Sequence, residues 1–377
     1  MQNHNLRTLT LITLTALAFV TVSTRVNAAG IAAGTTISNQ ASIDYQVASV
    51  SQTTVTSNNY QFVVDRKINL IVSTTDGAEV STTPGTTGNV LTFTVQNTGN
   101  GTQDFSLSTF TRSGGTAAFG GTDNNDADSV AVWVEDGTTG GYQSGEDTET
   151  YIDELAADGT QTVYIVGDFT TGPFINNDIA SYHLVAEARE HGTASTLGNA
   201  LTETSGADTP GSEDIVFADG QGSETTGDIA RDAIFSDDSD YIISAATLTV
   251  AKSSAVISDP TNGTSDPKAI PGAIIEYTIT ISNGSGAATA TGISLSDSLN
   301  TEIVASTVAF QVNGYDTVKG IQVTAPNING GSALDLTNAS DGDEGDWNVT
   351  GTNIVTVTGI QLAADESATI TFRVEIQ

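Results

Sequence analysis

The feature that most constrains this chain is a sequence pattern that occurs twice. The tetrapeptide Leu-Ala-Ala-Asp at residues 155–158 precedes a run of alternating polar and apolar residues, and the same tetrapeptide at 362–365 precedes a similar run. Each copy follows a Pro-Gly turn, at Pro84 and at Pro271, that leads into an alternating segment ending in Asn. A repeat of this size indicates that one module was built twice, so tandem domains are predicted.

Apolar residues recur at every second position, which is the period of a half-buried strand and not that of a helix. Thr and Val are abundant, and turns rich in Gly, Asn and Asp separate the runs. Many short strands without intervening helices predict an all-β protein built of tandem antiparallel Ig-like Greek-key β-sandwiches. The segments 151–157 and 225–235 are the two weak candidates for helix.

The N-terminus predicts export. Residues 1–28 contain a basic start, an apolar run and small residues before Ala29, which is typical of a cleaved signal peptide. Residues 29–64 are predicted to form a β-hairpin or a pair of strands, too short for a core of their own.

Two sandwiches are predicted in the remaining chain. The first spans residues 65–245 and includes a long acidic insertion at about 198–240, and the second spans 246–377. The insertion is either a flap that packs on the sandwich through its few apolar residues or a partly disordered segment.

Charge limits the partners. The chain has 11 Lys and Arg against 45 Asp and Glu, for a formal net charge of −34 at pH 7. Such a charge repels nucleic acids and anionic membrane surfaces, keeps an exported protein soluble and favours cations. Cysteine is absent, so no disulfide framework is expected. With no apolar tail or sorting motif, the protein is predicted to be secreted and cell-surface associated, without membrane insertion.

The second module carries the clearest family signature. A Pro-Gly turn at Pro271 leads into Tyr277-Thr-Ile-Thr and a strand that ends at Asn283, and a further strand leads into the turn Asp297-Ser-Leu. In these residues the segment 246–377 resembles a bacterial Ig-like surface repeat, the eleventh numbered domain-of-unknown-function family. The resemblance implies an extracellular structural role and supplies no catalytic residue.

Clusters of acidic residues are the main candidates for a binding site. Calcium takes about six to eight oxygen ligands, and carboxylates and Asn carbonyls on flexible turns can supply several of them. The predicted ligands of a structural Ca²⁺ ion lie in three clusters, namely Asp123, Asn125, Asp126 and Asp128; Asp237, Asp238 and Asp240; and Asp341, Asp343 and Asp346. The alternative is that these residues form solvated turns, since Asp and Asn are ordinary residues of β connections.

Little in the sequence points to catalysis. Outside the predicted signal peptide only His183 and His191 remain, and the chain has no Cys nucleophile. Alternation predicts that His183 faces outward from a strand. The protein is therefore predicted not to be an enzyme and to have no catalytic residues. A less favoured alternative is an exported hydrolase that uses paired carboxylates.

Together these features predict a secreted structural or adhesive protein of a bacterial cell surface or matrix. Its partners would be surface or matrix components, or further copies of itself. Strand edges at residues 36–47 and 369–377 are predicted to offer unpaired backbone groups to a neighbour's sheet. The alternative is a calcium-dependent module that binds a ligand or a glycan.

Overall fold

The computed structural model describes residues 30–112, 114–223 and 227–377, and these residues form an all-β protein. The predicted signal peptide, residues 1–28, lies outside the described residues. In the part of the chain that the structure describes, no helix is long and apolar enough to span a membrane.

Residues 36–63 form one two-stranded antiparallel ribbon, which we term the arm. β1 pairs with β6, β2 with β5 and β3 with β4, around a turn at Ala48 and Ser49. Both turn residues have positive φ, as the tightest hairpin turns require. The strands of the arm are β1 (Thr36–Asn39), β2 (Ser42–Ile43), β3 (Gln46–Val47), β4 (Val50–Ser51), β5 (Val55–Thr56) and β6 (Tyr60–Val63).

The first module is a sandwich of two sheets. Four strands follow the order β12-β14-β10-β8 and five strands follow the order β13-β11-β15-β17-β9, while β7 pairs with β16 beside them. Its strands are β7 (Arg66–Ile68), β8 (Leu70–Thr74), β9 (Val80–Thr82), β10 (Thr86–Asn97), β11 (Gln103–Thr111), β12 (Ser129–Val134), β13 (Tyr151–Leu155), β14 (Thr160–Phe169), β15 (Ile179–Arg189), β16 (Ile215–Phe217) and β17 (Ile234–Ile243).

The second module is also a sandwich of two sheets. The larger sheet follows the order β18-β19-β26-β22-β23, with β21 also paired to β26, and the smaller follows the order β20-β25-β24. Its elements are β18 (Leu248–Ser258), β19 (Ile274–Asn283), β20 (Ala290–Ser298), α1 (Asn300–Val304), β21 (Val308–Phe310), β22 (Ile321–Thr324), a 3-10 turn (Asn329–Gly331), β23 (Leu334–Leu336), β24 (Gly345–Trp347), β25 (Ile354–Leu362) and β26 (Ser367–Ile376).

Buried side chains form two clusters, one within residues 68–245 and one within residues 279–374. In the first cluster, Leu91, Phe93 and Val95 occupy alternate positions of β10, and all three are fully buried. This alternation is the pattern that predicts strands, and each such side chain contributes about 1.5–3 kcal/mol of burial free energy.

Two pairs of strands are parallel, β7 with β16 and β9 with β17, in contrast to the antiparallel arrangement predicted throughout. Parallel neighbours require a long connection. Both pairs join a strand from the start of the module to one near its end, so the chain between them supplies that connection.

The segment 198–240 packs on the first module in its described residues. Phe217, in β16, is 9% exposed, and Phe235 packs against the same core, while Val216 remains 38% exposed. β17, which begins at Ile234, is an interior strand of the five-stranded sheet. The helix predicted at 151–157 is wrong, because these residues contain β13.

The modules share five strands in the same arrangement. β8, β10 and β14 correspond to β18, β19 and β26 in one sheet, and β11 and β13 correspond to β20 and β25 in the other. The Pro-Gly turns begin β10 and β19, and Gly85 and Gly272 adopt φ of 92° and 84°, a region that glycine enters without steric cost.

A buried asparagine in each module contacts the repeated Leu-Ala-Ala-Asp segment. Asn97 is fully buried at the end of β10, and its Nδ2 donates to the carbonyl oxygen of Leu155 at 2.9 Å. Asn283 is 3% exposed at the end of β19, and its Nδ2 donates to the carbonyl oxygen of Leu362 at 3.1 Å. Each Asn side chain therefore joins the end of a strand in one sheet to the Leu-Ala-Ala-Asp corner, which begins at the end of a strand in the other sheet.

Replacing these amides is expected to destabilise the protein. Asn97→Ala or Asn283→Ala leaves buried carbonyl groups without a donor, and each should lower the free energy of unfolding by about 1–3 kcal/mol. Urea unfolding followed by intrinsic fluorescence measures the loss. Asn59→Ala is the matched control, because Asn59 bonds an exposed hydroxyl of the arm. Equal effects of the three changes would contradict the role assigned to the buried amides.

Candidate functional site

The first predicted cluster fastens a loop to the five-stranded sheet. Asp123 is 4% exposed, its Oδ1 accepts the backbone N–H of Ser181 at 3.0 Å, and its Oδ2 accepts that of Gly114 at 3.1 Å. Asn125 donates from Nδ2 to Asp178 Oδ2 at 2.7 Å. The oxygen atoms of Asp123 and the amide of Asn125 are therefore used to hold the loop to the start of β15.

Asp126 and Asp128 lie on the same loop and have similar roles. Asp126 Oδ1 accepts the hydroxyl of Thr111 at 2.6 Å. Asp128 Oδ2 accepts the backbone N–H groups of Thr170 and Thr171 at 2.6 and 2.8 Å. The bond from the Thr171 N–H is the main cause that lowers the pKa of Asp128. The carboxylate thus holds the end of β14 to the start of β12.

The second predicted cluster divides between the two faces of β17. Asp237 Oδ2 accepts the backbone N–H of Thr74 at 2.7 Å, and burial raises the pKa of its carboxyl. Asp238 Oδ2 accepts a hydrogen bond from the Arg112 guanidinium. Asp240, on the same face as Asp238, is fully buried. Because successive residues of a strand alternate between faces, these three carboxylates do not converge on one point.

The third predicted cluster lies at the start of β24 in the second module, with Asp341 and Asp343 in the connection before the strand and Asp346 within it. Asp343 Oδ2 accepts the backbone N–H of Thr337 at 2.7 Å, and Asp341 Oδ2 accepts the hydroxyl of the same residue at 2.7 Å. Asp346 Oδ2 accepts the hydroxyl of Thr350 at 2.7 Å. All three carboxylates therefore stabilise the local turns.

A different group of acids comes together at the base of the arm. Asp65, Asp208 and Asp214 each place a carboxylate oxygen within 4.8 Å of the others, and Asp214 is 8% exposed. The N–H of Asp214 also donates to Asp65 Oδ1 at 3.0 Å. Within the described ranges this is the group of three acids that could hold a metal ion. No local sequence pattern indicated this group, because Asp65 lies far along the chain from Asp208 and Asp214.

His183 lies on the face of β15 that points away from the core, as alternation predicted. It is nevertheless 4% exposed, because the segment that includes Ser223 covers it, and its Nδ1 is 3.0 Å from Ser223 Oγ. The predicted face was therefore correct, and the residue is buried by the segment that covers this face.

The same outer face of the five-stranded sheet contains a pocket of 370 Å³. Two carboxylates line it. Glu187 Oε2 accepts a bond from Arg189 at 2.6 Å, and Asp228 Oδ2 accepts the hydroxyl of Ser236 at 2.5 Å. Both carboxylates are therefore engaged in hydrogen bonds within the sheet and its covering segment.

The arm is the most unusual surface of the described chain. From residue 36 to residue 63 it has one charged side chain, Asp44. Its apolar side chains are 44–63% exposed, namely Ile43, Tyr45, Val47, Val50, Val55, Tyr60 and Phe62. In the described structure each arm strand is paired along one edge, so its other edge is free.

The other predicted free edge, at residues 369–377, is wrong. β26 lies between β19 on one side and β21 and β22 on the other. Its backbone groups are therefore used inside the sheet, and the arm is the remaining predicted site of strand addition.

Comparisons with known proteins give distant structural similarity. No family model matches the chain, and no curated protein matches its sequence. The structure named BspA_C_WT is 9% identical with a TM-score of 0.33, over 81% of this chain and 91% of that one.

Two further similar structures are a pilin and a tip adhesin. The full-length major pilin SpaD from Corynebacterium diphtheriae is 12% identical with a TM-score of 0.23, over 74% of this chain and 51% of its own. The CupB6 tip adhesin from Pseudomonas aeruginosa is 11% identical with a TM-score of 0.23, over 80% and 84%. Similarity this weak carries no argument about function, which has to be inferred from the chain's own structure.

The stabilisation that Asp128 provides by accepting the N–H groups of Thr170 and Thr171 is expected to depend on pH. A lowered carboxyl pKa means that the folded state favours the charged form, so its stabilisation is present above the unfolded-state pKa and is lost as pH falls through the folded-state value. Asp128→Asn should therefore reduce the urea midpoint at pH 7 and have less effect as the pH falls below the ordinary aspartate range. A difference between wild type and variant that grows in acid would contradict this assignment.

Proposed function

We propose that this protein is a non-enzymatic, extracellular structural component that associates with copies of itself through the arm. The observation that carries the proposal is an exposed, apolar and almost uncharged two-stranded ribbon on a chain of net charge −34. Its location outside the cell rests on the predicted signal peptide. Membership of the second module in the Ig-like surface repeat family is part of the same proposal.

Electrostatics favour the arm as the contact surface. Two copies with this charge repel each other over most of their surfaces. Contact through the arm brings only Asp44 of that segment into the interface. The cost of bringing two acidic chains together is therefore lowest there.

The apolar side chains of the arm supply the attraction. Val47 is 57% exposed, Val50 63% and Ile43 61%, and no core lies beneath the ribbon. Burying apolar surface contributes about 25 cal/mol per Å². The free strand edges add backbone hydrogen bonds to a neighbour's sheet. A ribbon of this kind is suited to joining subunits in a surface or matrix assembly.

The oligomeric state of arm variants tests the proposal. Light scattering after size exclusion should show oligomers for the wild type. The triple variant Ile43→Thr, Val47→Thr and Val55→Thr should have the mass of a monomer. These changes keep β-branched side chains in the ribbon and remove apolar surface.

The matched control replaces three equally exposed apolar residues of the second module. Val304→Thr, Val312→Thr and Val349→Thr should leave the oligomers unchanged, since these residues lie outside the arm and are 73%, 45% and 53% exposed. A wild type that remains at one-chain mass at its highest soluble concentration would contradict self-association.

The second candidate function is calcium binding, which the convergence of Asp65, Asp208 and Asp214 favours. Three carboxylates within reach of one ion are a typical core of a Ca²⁺ site. Asp65 joins the arm to β7, and the other two acids lie in the segment that covers the first module. An ion there would fix the base of the arm.

Thermal unfolding tests this candidate. Millimolar Ca²⁺ should raise the Tm of the wild type relative to EDTA, because an ion that binds only the folded state stabilises it. Asp214→Asn should abolish most of the shift, and Asp341→Asn in the exposed loop should preserve it. A shift that survives Asp214→Asn and is lost in Asp341→Asn would place the ion at the loop instead, and no shift would contradict calcium binding.

A further inference from the structure

The two modules differ in the sheet that contains β11 in the first module and β20 in the second. In the first module β11 pairs with β13 on one side and with β15 on the other, and β15 in turn pairs with β17. In the second module β20 takes the place of β11 and pairs with β25. Among the described residues no strand pairs with its other side. The second module therefore lacks the counterpart of a two-stranded antiparallel ribbon.

The ribbon in the first module covers the core side of the edge strand β8. Leu70 and Val72 of β8 are 0% and 2% exposed, and β17 packs against that strand. Two hydrogen bonds join this side of the sandwich, from the N–H of Thr74 to Asp237 and from the hydroxyl of Ser239 to Asp76.

The equivalent positions of the second module are uncovered. Leu70 pairs with Asn97 and Leu248 pairs with Asn283, so Leu248 and Val250 of β18 correspond to Leu70 and Val72. Leu248 is 42% exposed and Val250 is 64% exposed. The same two apolar positions are thus buried where the ribbon is present and open to solvent where it is missing.

A salt bridge marks the open side. Lys252 of β18 reaches across to Asp297 of β20, with Nζ 2.5 Å from Oδ2, and Nζ also lies 4.6 Å from the centre of the Tyr277 ring. The two edge strands therefore face each other at this side of the sandwich. We term the gap between them, bounded by Leu248, Val250 and β20, the acceptor cleft.

We propose that the acceptor cleft binds the arm of a second copy of this chain, which pairs with the free edge of β20 and covers Leu248 and Val250. This inference rests on the proposed function and identifies the surface that receives the arm. The missing piece is an antiparallel two-stranded ribbon with apolar side chains, and the arm is such a ribbon.

The lengths and charges of the cleft strands match those of the arm. β20 has nine residues, and the first leg of the arm runs from residue 36 to residue 47. β18 is the longest edge strand of the described sheets, at 11 residues, and it contains Lys252 and no acid. The acidic side chain of β20, Asp297, is already paired with that lysine. A nearly neutral ribbon therefore meets a nearly neutral cleft in an otherwise acidic protein.

The arm has to come from another copy. In the described structure the apolar side chains of the arm remain exposed, so the arm of the same chain does not occupy the cleft. Each copy offers one arm and one cleft at different places, which makes the contact heterologous. Heterologous contacts that do not close into a ring build linear chains. The arm and the cleft therefore predict head-to-tail growth.

Cross-linking between single-cysteine variants tests the assignment, because the natural chain has no cysteine. Full-length Val55→Cys, in the arm, and full-length Val250→Cys, in the cleft, are mixed, treated with a short bismaleimide and analysed by mass spectrometry. We expect a two-chain adduct joined through residues 55 and 250. Val349→Cys, which is 53% exposed in the second module, replaces Val250→Cys in the control mixture and should give none.

Introducing charged side chains into the cleft gives a second measurement. Leu248→Lys with Val250→Lys should reduce the oligomers to one-chain mass, while Val304→Lys with Val349→Lys should leave them intact. If the Thr variants of the arm abolish the oligomers but the cleft variants do not, and no 55–250 adduct forms, the acceptor cleft is overturned and self-association through the arm stands. If the wild type never associates, both proposals are overturned.

Discussion

Both sandwiches depend on one interaction, made by the side-chain amide of Asn97 at the end of β10 and by that of Asn283 at the end of β19. A sandwich needs its two sheets held in register at the corners, where apolar packing ends and backbone groups would otherwise lack partners. Asn97 and Asn283 meet that need with the carbonyl groups of Leu155 and Leu362. The corner that follows then turns through Asp158 and Asp365, whose φ values are 62° and 63°. The recurring Asn and Leu-Ala-Ala-Asp segments therefore have the same structural role in both modules.

The abundant carboxylates serve the same end in the loops. With no disulfide in the chain, the connections are held by acids that accept backbone N–H groups. Asp259 is the strongest case: it accepts N–H groups from Thr261, Asn262 and Lys268, and these bonds, that of Asn262 first, lower its pKa to about 2. Among the acids predicted as calcium ligands, Asp123, Asp128 and Asp343 accept backbone N–H groups in the same way. High charge and ordered connections are therefore compatible in this protein.

The sequence predicted what depends on local pattern and missed what depends on distant pairing. Alternation identified the strands, because side chains of a strand point to opposite faces. The recurring Leu-Ala-Ala-Asp and Pro-Gly segments identified the repeat. It could not show that β26 is paired on both sides, since an interior strand and an edge strand alternate alike. The group of Asp65, Asp208 and Asp214 was missed for a related reason: its members meet only after β16 pairs in parallel with β7. The arm was recognised as a segment without a core, but the cleft required a comparison of the two folded modules.

The uneven distribution of charge has a consequence for the surroundings in which the protein works. Repulsion between the acidic bodies acts over a screening length of about 10 Å at 0.1 M salt and about 30 Å at 0.01 M, whereas apolar burial is short-ranged and far less sensitive to ions. In the assembly that we propose, dilute media would therefore keep the molecules apart, and saline media would remove this barrier without weakening the apolar contacts of the arm. Ionic strength would then regulate the proposed self-association.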